Sequence, residues 1–128
     1  MSKYPLNLKD DIIIVNGFFT GPLGNEVVGM ALDTGASMTS IPTRTAMAIS
    51  IDPAKSTKKI EVMTASAIEI VPVVVIPQFS FLGLTLNNIE VFCFNLPNQS
   101  RVGGLLGLNV LQNFDIGLKF KSLILEIT

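Results

Sequence analysis

Short apolar segments separated by turn-forming residues run through most of the chain, and this pattern predicts β-strands. Residues 11–19 are rich in isoleucine, valine and phenylalanine, and residues 21–25 supply the glycine, proline and asparagine of a turn. Residues 26–32 resume the apolar pattern and run directly into Asp33. We therefore predict a β-hairpin whose second strand places Asp33 at its end.

Four further strand segments follow the same pattern. They are predicted at residues 59–75, 79–86, 89–95 and 118–127. The first is broken near residues 64–66 and the second near residues 82–83, so each of these two contains a turn. Such a series of short strands predicts an all-β domain with a closed or sandwich-like arrangement.

Two short helices are predicted between the strands. Residues 42–49 are compatible with a helix after a proline, and residues 109–114 suit a second helix with Asn109 as its N-cap. No internal repeat or linker interrupts the pattern of elements. We therefore predict a single domain that extends over residues 1–128.

The amino-acid composition excludes several classes of chemistry. The chain has no histidine and one cysteine, Cys93, which excludes Ser-His and Cys-His nucleophile systems, His-ligated zinc and cysteine metal clusters. Cys93 lies among apolar residues and is predicted to be a core residue rather than a reactive thiol. Hydrolysis by this chain would therefore depend on carboxylates, hydroxyls, lysines or an oxygen-ligated metal.

Charge and hydropathy limit the expected binding partners and the expected cellular location. The formal net charge is -1, and the longest basic run is the pair Lys58-Lys59, so a nucleic-acid partner is not expected. No segment approaches the roughly 20 apolar residues of a membrane helix, and the N-terminus lacks the long apolar segment of a signal peptide. We expect no membrane partner and a cytoplasmic location, unless a leader or a membrane anchor has been removed from the chain.

The most informative polar residues, Asp33, Thr34 and Gly35, lie at the end of the second predicted strand. A carboxylate beside a buried strand is costly unless it is hydrogen bonded, and the glycine lets the backbone turn and direct N–H groups toward it. The same residues also suit an ordinary Asx turn. On these three residues alone, a catalytic carboxylate and a structural turn remain alternatives.

A second segment, residues 104–111, favours the catalytic interpretation. Residues 31–35 (Ala-Leu-Asp-Thr-Gly) and residues 105–107 (Leu-Leu-Gly) resemble, in order and approximate spacing, the paired motifs of single-domain aspartic proteases of the retroviral and bacterial type. The resemblance to this retropepsin-like family extends over approximately residues 11–127. It implies a closed retropepsin-type acid protease barrel with one or two short helices, in which the second motif packs beneath the first.

The resemblance also implies the catalytic residues. Asp33 would be the catalytic carboxylate, Thr34 would support it by a hydrogen bond across a dimer axis, and Gly35 would allow close approach of the substrate backbone. The reaction needs two carboxylates that share one proton, and aspartic proteases are the standard example of this arrangement. No other aspartate of the chain is followed by Thr-Gly. A homodimer would therefore supply the second carboxylate, and neither a metal nor another cofactor is expected.

Substrate-binding residues follow from the same resemblance. They comprise two residues beside the first motif, the tip of the predicted 59–75 hairpin, which would act as a flap, and one residue of the second motif. These residues are Ala36, Ser37, Met63, Thr64, Ala65, Ser66 and Leu106. The first residues of the chain and residues 123–128 would be interface strands that interleave with those of a second subunit. Expected substrates are peptides or proteins with extended apolar segments.

Two departures from the retroviral pattern are present. Ser37 and Leu108 stand where retroviral members usually carry an acidic residue and an arginine, so both members of that ion pair are missing.

The predicted function is an aspartic endopeptidase that acts as a homodimer and activates water to hydrolyse peptide bonds. The alternative is a catalytically silent module of the same fold that binds a peptide or a protein. A purely structural β domain would require both motifs to be coincidental.

Overall fold

Short strands and two short helices form the fold in the computed structural model, which describes residues 1–97 and 99–128. The strands are β1 (Ser2–Pro5), β2 (Leu8–Lys9), β3 (Ile12–Gly21), β4 (Gly24–Leu32), β5 (Ser40–Ile41), β6 (Lys58–Met63), β7 (Ile68–Phe81), β8 (Leu84–Cys93), β9 (Gly104–Leu106), β10 (Ile116–Lys119) and β11 (Ile124–Ile127). The helices are α1 (Thr43–Ala48) and α2 (Leu108–Leu111), and Pro53–Lys55 form one turn of 3-10 helix.

The predicted hairpins are confirmed. Strands β3 and β4 are antiparallel from the Ile14↔Ala31 pair to the Gly21↔Gly24 pair, and β6 pairs with β7 in the same way. Leu82 and Gly83 join β7 to β8, and both have positive φ angles of 47° and 73°. A two-residue turn with two positive φ angles matches the right-handed twist of the flanking strands. Turn chemistry therefore sets the register of these long strands.

The larger sheet combines antiparallel and parallel pairs. Its eight strands have the order β2-β3-β4-β9-β5-β8-β7-β6, with parallel pairing of β4 with β9 and of β5 with β8. Strand β3 also pairs with β7, which curves the sheet back on itself. The mostly β fold is thus confirmed. Complete closure into a barrel stays a prediction, because β5 and β9 meet through one residue pair, Ser40↔Leu105.

Aromatic rings form the centre of the main core. Phe19, Phe79 and Phe81 are at most 1% exposed, and their ring centroids lie 4.8 Å and 5.6 Å apart along the series. Phe114 continues the series 5.5 Å from Phe81. Each such pair contributes about 0.5–1.5 kcal/mol beyond the burial of its surface. The core thereby fixes the strands that support Asp33.

A smaller apolar cluster lies under the β6–β7 hairpin. Val71, Val73 and Phe92 are buried there, and Ile60 and Val62 of β6 pack against them. The alternation of Ile60 and Val62 with exposed neighbours is the pattern of a strand with one buried face. This cluster holds the base of the hairpin against the body of the domain.

The chain termini form the smaller sheet, in the order β1-β11-β10. Strand β11 pairs with β1 on one edge and with β10 on the other, both within the same chain. We expected these strands to interleave with a second subunit, and the observed pairing differs from that expectation. Both edges of β11 are already occupied, so an exchange of strands would first have to break pairs such as Lys3↔Glu126.

Both helices lie near the segments predicted for them, but the bounds and the N-cap of α2 differ from the prediction. Helix α1 lies within the predicted 42–49 segment. Helix α2 begins one residue earlier than expected and is shorter; its N-cap is Gly107, and Asn109 does not cap it. Among the described residues, no helix has the length and apolar character needed to cross a membrane.

Candidate active site

Asp33 lies at the junction of two parallel strands. It follows the last residue of β4, which pairs with β9 through Met30↔Gly104 and Leu32↔Leu106. The backbone N–H of Asp33 donates to the carbonyl of Leu106 at 3.0 Å, which extends the pairing by one residue. The second motif therefore supports the first directly.

A tight turn then orients the carboxylate. The backbone N–H of Gly35 donates to Oδ1 of Asp33 at 2.9 Å, and the N–H of Ala36 donates to the Asp33 carbonyl at 3.2 Å. Asp33 is half-buried. In the described chain the only hydrogen bond to this carboxylate comes from Gly35, so Oδ2 is left for other groups. A carboxylate held on one oxygen and open on the other is suited to bind or activate a ligand.

Helix α2 locks the loop that follows Asp33. The N–H groups of Leu108 and Asn109 donate to the carbonyls of Ala36 and Ser37 at 2.8 and 3.1 Å. A Cβ atom at Gly107 would lie only 2.5 Å from a backbone carbon of Met38. Glycine is thus required there, because the two motifs approach each other through their backbones.

The side chain of Asn109 ties three elements together. Its Oδ1 accepts hydrogen bonds from the N–H and the hydroxyl of Thr39 at 2.8 and 2.9 Å, and its Nδ2 donates to the Glu90 carbonyl at 2.7 Å. The Thr39 hydroxyl also accepts the N–H of Gly107 at 3.1 Å. Thr39 is fully buried, so water cannot replace these bonds. Sequence reasoning assigned Asn109 to a helix cap and gave Thr39 no role.

A cleft of about 350 Å³ opens at the Asp33 carboxylate. Residues of the Asp33 loop form one wall and the β6 strand forms the other; the lining residues are Asp33, Gly35, Ala36, Ser37, Met38, Ile60, Glu61, Val62, Met63, Phe92 and Leu105. Another pocket of similar volume surrounds Arg44 and Asn95. Volume alone therefore does not single out the site, whereas the oriented carboxylate does.

Comparison with known proteins agrees with this geometry. The family model described as aspartyl protease matches residues 15–110, which include both motifs and the β6–β7 hairpin. The chain belongs to the aspartyl protease family. The structure is similar to the crystal structure of a retropepsin-like aspartic protease from Rickettsia conorii, with a TM-score of 0.70 and 21% sequence identity. That match covers 97% of this chain and 86% of the other, and it shows the retropepsin-like fold. A comparison with curated protein sequences gives no match.

Half of the residues predicted for this aspartyl protease site lie around the cleft. Asp33, Gly35, Ala36, Ser37 and Met63 line it. Thr34 is exposed beside Asp33 and does not line the cleft. The other three flap residues, Thr64, Ala65 and Ser66, lie in the turn of the hairpin, outside the lining.

The assignment of Leu106 to substrate binding is corrected. Its side chain is fully buried in the main core, and its neighbour Leu105 lines the cleft instead. Successive residues of a strand point to opposite faces, so an error of one residue exchanges core for cleft. The role of Leu106 at the site is its carbonyl, which accepts the N–H of Asp33.

Several cleft residues were not predicted from the sequence. They come from three separate segments: the loop after Asp33 supplies Met38, β6 supplies Ile60, Glu61 and Val62, and β8 supplies Phe92. The alternation of Ile60 and Val62 indicates one buried face of a strand, but it does not indicate that this face borders Asp33.

Cys93 belongs to the main core, as predicted. It is buried, and desolvation raises the pKa of its thiol to about 11. A thiol with so high a pKa is a poor nucleophile at neutral pH. Among the described residues, no group of three or more potential metal ligands is present.

Proposed function

We propose that this member of the aspartyl protease family is an endopeptidase that acts as a homodimer, with one Asp-Thr-Gly motif from each subunit. The observation that carries the proposal is the Asp33 carboxylate, held by Gly35 on one oxygen and presented to a cleft on the other. The backbone hydrogen bonds between the two motifs also support the proposal. They hold the carboxylate on paired strands rather than on a free loop.

The proposed reaction needs two Asp33 carboxylates that share a single proton. The ionised carboxylate takes a proton from a water molecule as that water attacks the peptide carbonyl carbon, and the protonated carboxyl donates its proton to the carbonyl oxygen. The carboxyl that took the water proton then gives it to the amide nitrogen, a hydroxyl of the tetrahedral intermediate returns its proton to the other carboxylate, and the C–N bond breaks. No covalent bond forms between enzyme and substrate.

A second copy of the chain would provide the second carboxylate. One subunit has one Asp33, and no other aspartate in the sequence is followed by Thr-Gly. A two-fold axis beside Asp33 would bring the two motifs together. The exposure of Thr34 next to Asp33 leaves it free to contact the other subunit, as the proposed dyad support requires.

The β6–β7 hairpin is the proposed flap. Its tip is closed by Thr64, whose N–H donates to the Ala67 carbonyl at 2.8 Å and whose hydroxyl accepts the Ala67 N–H at 3.1 Å. Met63, at the end of β6, is 82% exposed and borders the cleft. A flap with an exposed apolar side chain would cover an extended substrate and exclude water from the reaction.

Cleavage of denatured casein tests the proposal. We expect digestion by the wild type somewhere between about pH 3 and pH 7 and none by Asp33→Asn, with the fold of both proteins checked by circular dichroism. Because dimers form by mass action, specific activity should rise with enzyme concentration. A folded wild type that cleaves nothing over this pH range would contradict the proposal and leave the peptide-binding module as the alternative.

A further inference from the structure

The hydroxyl of Ser40 is a buried polar group without a hydrogen-bond partner. Ser40 belongs to β5 and is 1% exposed. Within residues 1–97 and 99–128, its Oγ is the only buried side-chain nitrogen or oxygen atom that makes no hydrogen bond. Buried polar groups are almost always paired, and an unpaired one is costly. Alanine would fill nearly the same space without that cost, so packing alone does not explain a serine here.

The pairing of the strands directs this side chain to the face of the sheet that bears the cleft. Ser40 lies opposite Leu105 of β9 on one side and Phe92 of β8 on the other. Directly paired residues project to the same face of a sheet, and both of these neighbours line the cleft. The next residue, Ile41, and its partner Cys93 belong to the main core on the opposite face. The orientation of Ser40 therefore follows from the register of three strands.

Asp33 lies close to the same row of residues. The row continues from Leu105 to Ala31 of β4, and Asp33 is two residues beyond Ala31. One strand, β9, separates β4 from β5, so Asp33 and Ser40 lie about 10 Å apart across the sheet. An extended peptide advances about 3.4 Å per residue. A substrate side chain above Ser40 would thus belong to a residue within about three positions of the scissile bond.

The neighbours of Ser40 give its hydroxyl an apolar setting. Leu105 and Phe92 are larger than the serine between them, so the hydroxyl lies at the base of a recess with apolar walls. Met38 lines the same cleft and packs against the small cluster that contains Phe92. Binding sites for small groups commonly combine apolar walls with one or a few polar atoms that select the ligand. The recess has this composition.

We propose that Ser40 is a specificity-determining residue whose hydroxyl forms a hydrogen bond with a substrate side chain that carries a hydroxyl or an amide, such as threonine or asparagine. The inference rests on the proposed function, since it assigns a side-chain preference to the same cleft. The substrate side chain enters between Leu105 and Phe92, and Met38 moves aside, because methionine side chains rearrange readily. An apolar side chain of the same shape would leave the hydroxyl unpaired and is therefore disfavoured.

Pairs of isosteric peptides test the inference. Internally quenched peptides with two central phenylalanines would carry valine or threonine, or leucine or asparagine, at each flanking position in turn. For each pair, the ratio of kcat/KM for the polar peptide to that for the apolar peptide is measured in wild type and in Ser40→Ala. At one position or more, this ratio should be about threefold to tenfold higher in wild type, the effect of one hydrogen bond. Equal ratios at every position would overturn the inference while the proposed function stands.

The control variant is Ser37→Ala. Ser37 is an exposed serine that lines the cleft, so its substitution removes a hydroxyl from the same surface. The ratio of polar to apolar peptide should be the same in this variant as in wild type. A ratio that falls in Ser37→Ala but not in Ser40→Ala would assign the preference to the wrong serine and overturn the inference.

Thermal unfolding tests the unpaired hydroxyl independently of cleavage. Removal of a buried hydroxyl without a partner should leave Tm unchanged or raise it, so Ser40→Ala should fold as well as wild type. A fall in Tm of several degrees would show that the hydroxyl is already paired in the free protein, and would overturn the inference.

Absence of cleavage for every peptide would instead contradict the proposed function. Binding of the same labelled peptides to folded wild type and Ser40→Ala, measured by fluorescence anisotropy, would then decide the inference alone. A ratio of polar to apolar affinity that falls in Ser40→Ala would support it, and equal ratios in the two proteins would overturn it.

Discussion

Replacement of Asn109 by alanine is the most informative test of how the site is held. The substitution removes the acceptor of two hydrogen bonds from Thr39 and the donor of one to the Glu90 carbonyl. It adds no atoms, so overpacking cannot contribute. The expected effect is the loss of these three hydrogen bonds, which leaves the backbone and hydroxyl groups of Thr39 and the Glu90 carbonyl without this partner.

The magnitude follows from the burial of those groups. Thr39 is fully buried, so its N–H would be left without a partner, whereas Glu90, whose carbonyl also loses a donor, is only half-buried. A buried polar group without a partner costs about 1–3 kcal/mol, so the free energy of unfolding should fall by about 2–4 kcal/mol in total. For a domain of this size, such a loss lowers Tm by about 10 °C.

Urea unfolding followed by circular dichroism measures the effect, at one fixed protein concentration because the stability of a dimer depends on concentration. The matched control is Asn113→Ala, which also removes a side-chain amide next to α2. Asn113 is exposed and donates to the carbonyls of Asn109 and Val110, so water can replace it and its loss should cost less than about 1 kcal/mol. Equal losses for the two variants would refute the role assigned to Asn109.

Three further predictions concern other parts of the structure. Gly107→Ala would place a methyl group 2.5 Å from a backbone carbon of Met38 and should lower the free energy of unfolding by about 1–3 kcal/mol. The control, Gly117→Ala, brings its methyl group no closer than 3.8 Å to another atom and should change Tm little. Burial raises the pKa of the Cys93 thiol to about 11, so little reactive thiolate is present at pH 8. Iodoacetamide at that pH should therefore label the native protein more than about a hundredfold more slowly than the unfolded protein. Comparable labelling rates would show that the thiol is accessible. The hydrogen bond from Lys119 lowers the pKa of Glu126. The stabilising contribution of the ionised Glu126 carboxylate is therefore present at neutral pH and is lost as pH falls through that lowered pKa. The Tm advantage of wild type over Glu126→Gln should therefore be larger at pH 7 than at pH 3, and a constant difference would contradict this linkage.

Local sequence patterns predicted the hairpins and the position of Asp33 at the end of a strand. Turn residues such as Leu82 and Gly83 act on their immediate neighbours, so their effect can be read without knowledge of the fold. The apolar strand that ends at Asp33 is likewise a local feature. The family resemblance then connected residues 31–35 to residues 105–107, and the structure pairs these segments as β4 and β9.

What the sequence did not predict depends on contacts between distant segments. An asparagine at the start of a helix is a common cap, and nothing in the local sequence indicates that Asn109 instead binds Thr39. The choice between Leu105 and Leu106 for the cleft depends on the orientation of β9 against β4, which two adjacent leucines do not reveal. The internal pairing of β11 with β1 and β10 is also a choice among alternatives with similar hydrophobic patterns.

Mixing wild type with Asp33→Asn tests the shared catalytic dyad most directly. The two chains would be combined at fixed total concentration, unfolded and refolded together so that subunits assort at random, and assayed on casein. If each active site needs Asp33 from both subunits, activity follows the square of the wild-type fraction and an equal mixture retains about one quarter of the wild-type activity. An equal mixture that retains about one half would show that a single subunit suffices, and would contradict the account.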